Sequence, residues 1–481
     1  MRTINYVPEQ IEQVKKINNI QEMFNVLDFN PEVLRLLPNM DLDEIRLGFY
    51  SAKYFERSQN IVRKNIPENQ IVTMQIFQKT QWAVIAGVDL VVNLLKLVVW
   101  EYNDFNFVKN LLYRKQQLKE QIKQMQALAV FNPAILEQIN KKYQELLEIQ
   151  KQINNQFVSA IDKVQIEVLK KDGEIANWVQ EPVLKIKGPY RYFAILESIY
   201  LGILARATKV ATNTKKVIEA ANWKPVWFFA DRFDLYSNQM LDGYAALLAG
   251  VNWVATDAQW YFDKIPWIWT MPHALIANFN GDTAKATLEF AKTYPDIPTI
   301  ALVDFNNNCA EDAIKTAKLL KENGLKLEGV RLDTSGTMVD EGILFSNEIM
   351  KKYFAEKTIY QIREDYQTRK SERAFYGNTA FSKESLEKLK KAGLTGVNSE
   401  LVNFVRNQLN QAGFEDVKIF VSGGFDAEKI EKFEKENVPV DGYGVGSSLL
   451  TPKYVESNWD FTADIVSING KAVAKVGRME Y

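Results

Sequence analysis

From Phe107 to Phe157 apolar residues recur at three- and four-residue intervals, with Leu111, Leu118, Ile122 and Met125 on one stripe and Leu136, Ile139, Tyr143 and Leu146 on another. This period predicts two long amphipathic helices. Asn132-Pro133 predicts the turn between them, because proline blocks the first helix and suits the first turn of the second. The resulting hairpin reads as a packing or dimerisation element with solvated charged faces. The longest apolar run, Trp82 to Trp100, is interrupted by Asp89, Asn93 and Lys96. Charges are costly at a bilayer centre, so this run predicts a buried core helix and no membrane span.

Farther along, Glu174 to Gly188 reads as a strand ending in the turn Gly188-Pro189, followed by a helix from about Arg191 to Ala207. Short apolar strands then alternate with helices, the pattern of βαβ units and a parallel sheet. The expected strands are Pro225 to Phe229, Thr299 to Val303, Gly329 to Leu332, Val417 to Val421 and Val438 to Val445, with a strand-like run at Pro266 to Ile268. Helices are expected at Ala310 to Lys321 and Ala427 to Glu436. These strands are too few for a complete eight-stranded barrel.

The charge balance, 59 Lys and Arg against 60 Asp and Glu, leaves no basic excess for a nucleic-acid backbone. A single histidine, His273, excludes metal sites that need two or three imidazoles. Cys309, the one cysteine, cannot form an internal disulfide. The start MRTINYVPEQIEQVKKINNI has no apolar signal core, so a cytoplasmic location is expected.

Candidate chemistry gathers at the ends of the expected strands. Val421-Ser422-Gly423-Gly424-Phe425-Asp426 and Tyr443-Gly444-Val445-Gly446-Ser447-Ser448 are glycine-rich turns after the last two, where bare backbone lets N–H groups converge on phosphate. Asp333, in Arg331-Leu332-Asp333-Thr334, and Asp304 stand at strand ends and fit ribose hydroxyls or a magnesium-bound diphosphate, an ordinary helix N-cap being the alternative for each. His273, in Trp269-Thr270-Met271-Pro272-His273-Ala274, follows an apolar run, and Arg232 follows another, suited to a carboxylate or phosphate.

Together these motifs resemble the nicotinate phosphoribosyltransferases, closest to the shorter archaeal-type members, from about Tyr54 to Arg478 apart from the hairpin. Thr270 to Leu275 is similar to the family's histidine motif, Arg331 to Thr334 to its arginine-aspartate strand, and the two glycine turns to its phosphate loops. Tyr54-Phe55-Glu56-Arg57 resembles a motif whose aromatic residue encloses the pyridine ring, and Glu181 to Pro189 the strand that closes the N-terminal domain. The resemblance implies an α/β fold: an irregular barrel of the type II phosphoribosyltransferase kind, a β-rich N-terminal sandwich domain and the hairpin insertion. The expected domains are 1–205 with the hairpin at about 107–157, the barrel over 206–450, and a segment 451–481 returning to the N-terminal domain.

The implied reaction joins nicotinate to 5-phosphoribosyl diphosphate with Mg2+, coupled to ATP through phosphorylation of His273, in a homodimer or higher oligomer with shared active sites. His273 and Asp333 are the implied catalytic residues. Tyr54, Arg57, Arg232, Thr270, Asp304, Arg331, Ser422, Gly423, Gly424, Gly444, Gly446 and Ser447 are the implied substrate-binding set; the metal ligands are left unassigned. Three positions depart from the family pattern: Trp269 where glycine is usual, Phe233 in place of a second arginine, and Phe305 in place of threonine. A nicotinamide or quinolinate transferase and a catalytically silent phosphoribosyl diphosphate binder remain alternatives.

Overall fold

The computed structural model describes residues 1–5, 7–17, 20–28, 30, 33, 35–36, 41–259, 269–371, 380–451 and 460–481. The expected strand-like run Pro266 to Ile268 lies outside them. The chain divides into two compact units, Met1–Lys209 with Glu456–Tyr481, and Val210–Val455.

In the first unit, strands Arg2–Ile4, Gln165–Val168, Pro182–Gly188, Val72–Gln78, Phe461–Ile468 and Lys471–Ala472 form one antiparallel sheet in that spatial order. Its central strand Val72–Gln78 alternates Val72, Met74 and Ile76 with Thr73 and Gln75, yet all seven residues are buried. The polar face survives burial because the C-terminal segment lies on it. Gln75 donates to the Met479 carbonyl and accepts from the Tyr481 N–H, and Lys185 donates to the Tyr481 carbonyl. Arg478 pairs with Asp464 at 2.8 Å.

The hairpin consists of helices Phe105–Ala129 and Ile135–Asn154, closed at its base by a two-stranded ladder, Trp100–Tyr102 with Phe157–Ser159. Val108, Leu112, Leu118, Ile149 and Ile153 pack with Leu47 and Tyr102 at that base. Leu111 and Met125 are half-buried, and Leu136 and Tyr143 are exposed, a departure from the expected stripes. Away from the base the two helices have less to pack against than each other, and Tyr143 accepts from the Gln126 amide across the pair. The core helix within Trp82 to Trp100 is Val88–Val98. The helix expected from Arg191 starts later and runs farther, as Glu197–Ala220, because Val210, Ala211, Val217 and Ile218 extend its buried stripe. No helix among the described residues is long and apolar enough to cross a membrane.

In the second unit, β1 (Val226–Phe228), β2 (Trp253–Val254), β3 (Ile300–Leu302), β4 (Gly329–Leu332), β5 (Lys418–Val421) and β6 (Gly442–Val445) form a curled parallel sheet in the order β2-β1-β6-β5-β4-β3. Helices Cys309–Glu322 and Ala427–Lys435 follow β3 and β5. The strand expected from Val438 shortens to Gly442: Val438 and Val440 are buried without joining the ladder. Aromatic rings fill the inside. Phe420 occupies the space over two neighbouring strands' glycines, since a Cβ on Gly329 or Gly442 would lie 2.8 Å or 3.0 Å from its ring. Parallel strands end on one side, so the loops after β1, β3, β4, β5 and β6 share that edge.

Candidate active site

Asp304 and Asp333 leave the ends of β3 and β4. Neither is an N-cap: Asn308 caps the helix after β3, and Asp340 caps Glu341–Phe345 after β4. That alternative is overturned. Asp304 instead engages His273, whose Nε2 lies 3.1 Å from both carboxylate oxygens. An ionised carboxylate only accepts, so Nε2 carries the proton and the neutral ring keeps its lone pair on Nδ1. The hydrogen bond that His273 donates to Asp304 raises the imidazole pKa above its ordinary value; partial burial opposes this, Asp333 adds to it and Arg331 subtracts. Phe305 lies beside the imidazole with ring centroids 6.3 Å apart, so the residue that replaces threonine walls one side of His273.

Arg331, on β4, joins the strand ends. Its Nε donates to Thr270 Oγ1 at 3.2 Å, Nη2 to the Met271 carbonyl at 3.0 Å and Nη1 to Ser422 Oγ at 3.0 Å, with Asp333 Oδ2 3.3 Å away. Ser422 passes the interaction on by donating to Asp333 Oδ1 at 2.8 Å. Arg331 is only 7% exposed. Burial lowers its pKa while Asp333 and Asp304 hold it up, and a guanidinium stays charged throughout. Sequence candidates Thr270, His273, Asp304, Arg331, Asp333 and Ser422 therefore form one connected cluster.

The glycine turns divide in purpose. Gly423 and Gly424 both adopt left-handed backbone, φ +86° and +74°, and no acceptor among the described residues takes either N–H. Successive free N–H groups suit an anion. Open space lies over Gly424, whereas a Cβ on Gly423 would sit 3.2 Å from Asp333 Oδ1. Glycine at 424 thus answers a backbone demand, not crowding by a side chain. Gly423→Ala is expected to lose more thermal stability and more inorganic-phosphate affinity than Gly424→Ala, which carries only the left-handed cost of about 1–2 kcal/mol. Equal losses in calorimetry would refute the distinction. Gly444 serves packing: its would-be Cβ lies 2.3 Å from the Phe229 ring. Gly446 leaves room for Phe233, whose ring would be 2.6 Å from a Cβ there, and Ser447 opens the turn Ser447–Leu450.

No family model matches the chain. Over 301 residues it is 24% identical to a nicotinate phosphoribosyltransferase of Mycobacterium tuberculosis, covering 61% of this chain and 50% of that protein. The chain thus spans about half the length of the curated relatives it matches. Its fold is similar to that of a nicotinate-nucleotide pyrophosphorylase from Pyrococcus furiosus, with a TM-score of 0.59, 25% identity, and 92% of this chain and 81% of that one covered. The chain is similar to the nicotinate phosphoribosyltransferases in sequence and in fold. Human nicotinic acid phosphoribosyltransferase shares the fold at a TM-score of 0.52 and 14% identity, over 88% of this chain and 75% of that one. The architecture is the type II phosphoribosyltransferase fold.

Against the pattern of the nicotinate phosphoribosyltransferases, Trp269 finds its place among the interior rings, meeting Trp253 edge-on at 5.4 Å. Arg232 is exposed, 6.0 Å from the Phe233 ring, and its positive charge is felt at Arg331. Tyr54 and Arg57 belong to the first unit, on helix Lys53–Asn65, and both are exposed; the cluster belongs to the second unit. Two groups escaped the sequence reading. Phe229, over Gly444 and 5.5 Å from the Arg331 guanidinium, reads in the sequence only as part of a strand; its signal is an aromatic at a strand end facing a glycine strand. Asp340 accepts from the Cys309 and Gly342 N–H groups at 2.8 and 2.9 Å and ties the loops of Asp304 and Asp333 together; burial pushes its pKa up to about 6.

Proposed function

We propose that the protein is a phosphoribosyltransferase joining nicotinate to 5-phosphoribosyl diphosphate, forming nicotinate mononucleotide and diphosphate. The observation that carries this reading is the cluster of Arg331, Asp333, Ser422, His273 and Asp304 beside the free N–H groups of Gly423 and Gly424, all at one edge of a parallel sheet. The C1′–O bond to diphosphate breaks with its electron pair leaving on oxygen, and the pyridine nitrogen bonds to C1′. The transition state is a separated pair of charges, so positioning and fixed charge carry the rate and no protein nucleophile is needed.

In this reading Gly423, Gly424, Gly446 and Ser447 hold the 5′-phosphate, and Asp333 holds the ribose hydroxyls. Arg331 fixes Asp333 and Ser422 beneath them. Mg2+ fits as a passenger of the diphosphate: no group of three His, Cys, Asp or Glu side chains among the described residues could hold a metal alone, while hard carboxylate oxygens at Asp304 and Asp333 suit one that brings its own phosphate ligands. Bound Mg2+ would neutralise charge on the leaving diphosphate. ATP coupling through His273, a stacking role for Tyr54 and Arg57 from a second copy of the chain, and a dimer that completes the site belong to the same proposal, supported by the motif resemblance.

Arg232, exposed at this edge and without an ion-pair partner among the described residues, is assigned to the base carboxylate. Arg232→Ala is expected to raise KM for nicotinate by about tenfold to a hundredfold, the equivalent of roughly 1.5–3 kcal/mol, with KM for phosphoribosyl diphosphate little changed. Equal damage to both constants would reassign Arg232 to the diphosphate. Parallel assays with nicotinate, nicotinamide and quinolinate test the function itself. Diphosphate release with nicotinate alone is the expected result, and ligand binding without release of diphosphate would leave a silent binder.

A further inference from the structure

The loop after β1 is anchored at its stem, where the Ala230 carbonyl accepts from the Gln259 amide at 3.2 Å and the Asp231 carbonyl from the Gln239 amide at 2.8 Å. Beyond that anchor Arg232 to Tyr236 are exposed. Phe233, at 45%, is less so than Leu235 at 68% or Tyr236 at 82%, because its ring turns back onto Gly446. The two sit in close contact.

A Cβ on Gly446 would lie 2.6 Å from Cε2 and 3.2 Å from Cζ of that ring. With φ at −120°, the Gly446 amide hydrogen is gauche to the position a Cβ would take, so N–H and ring share one side of the residue. An oxygen accepting from this N–H at about 2.9 Å, with the rest of a phosphate behind it, needs the space that the ring fills. A phenyl ring offers phosphate neither charge nor a donor. Ring and phosphate are therefore alternative occupants of one place.

We propose that Phe233 covers the Gly446 turn of the empty site and is displaced by the phosphate of the incoming substrate. This rests on the transferase reading, which assigns Gly446 and Ser447 to the 5′-phosphate, and deepens it by naming the residue that competes for that position. The covered form binds phosphate monoesters more weakly by the fraction of time the turn is open. Arg232 precedes Phe233 on the exposed part of the loop, with its guanidinium 6.0 Å from the ring. Displacement of the ring thus also releases the cation assigned to the base from its aromatic neighbour.

The test is calorimetry with inorganic phosphate on the wild type and on Phe233→Ala. Half of a phenyl ring's apolar contact no longer has to be undone, so the variant is expected to bind phosphate about fivefold to tenfold more tightly. A merely structural role would move affinity the other way or not at all. A second measurement places 4-fluorophenylalanine at position 233 and follows its single fluorine resonance, which is expected to shift toward that of an exposed ring as phosphate is added. A variant of wild-type melting temperature that binds phosphate no more tightly overturns the inference, as does a resonance that stays still while phosphate binds. Neither readout needs turnover. Tighter phosphate binding by the variant of a protein that releases no diphosphate removes the transferase reading and leaves the cover standing.

Discussion

Arg331→Ala is expected to abolish measurable transfer and to melt well below the wild type. The residue is 7% exposed and its side chain serves Thr270, the Met271 carbonyl, Ser422 and Asp333 at once. Removing one member of a fully buried charged pair costs about 3–5 kcal/mol, and with the Asp333 side chain 28% exposed the lower end of that range applies. For a unit of this size that is a fall of roughly 10 °C in Tm. The same change frees Asp333 and Ser422 from their fixed positions, and a loss of about 4 kcal/mol in positioning is roughly a thousandfold in rate. Arg331→Lys sharpens the test. Lysine keeps the charge but cannot serve acceptors in several directions of one plane, so stability should partly return while kcat stays low. An alanine variant with a lowered Tm and near-normal kcat/KM would make Arg331 a structural brace only.

Much of this cluster could be read along the chain, for a physical reason. Strand β4, Gly329–Leu332, is a short apolar run with charged residues at its end, and a strand's exit is where such residues are tolerated and useful. The glycine turns were legible because left-handed backbone at Gly423 and Gly424 demands glycine. What could not be read was partnership. His273 and Asp304 are 31 positions apart and meet only because the loops around β3 converge. Glycines 329, 442 and 444 look like weak strand residues until the rings of Phe420 and Phe229 are seen lying on them. Val438 and Val440 imitate a strand because burial and ladder formation share the same apolar signal. In the hairpin the period was clear but the buried stripe was not, since which face is covered depends on Leu47 and Tyr102, far off in sequence.

The last expectation concerns the proposed phosphorylation of His273 and its dependence on pH. With Nε2 held 3.1 Å from both oxygens of Asp304, the nucleophilic lone pair of the neutral ring is on Nδ1, which has no partner among the described residues. Incubation with γ-labelled ATP is therefore expected to place an acid-labile, base-stable phosphate on Nδ1, with the bond from the γ-phosphorus to the bridging oxygen breaking and ADP leaving. Asp304 also raises the imidazole pKa, so the neutral ring is the minor form until the pH exceeds that raised value. The labelling rate should climb through it. In Asp304→Asn the rise should move down toward the ordinary histidine value of about 6.5, while the plateau falls because the ring is less firmly oriented. The stability sign runs the other way. A raised histidine pKa gives stabilisation that is full below the unfolded value and lost as pH rises through the folded one, and with the His273 side chain 44% exposed that contribution is small through solvent screening. Nitrogen-resolved NMR of the labelled protein separates the two ring positions. Phosphate on Nε2 would mean that the Asp304 pair breaks before reaction, and absence of label in the wild type would remove the phosphorylation step while leaving slow transfer through Asp333 and the glycine turns intact. His273→Asn should carry no label and should keep that slow transfer, because the C1′–O cleavage proposed here draws on fixed charge and positioning and not on the imidazole.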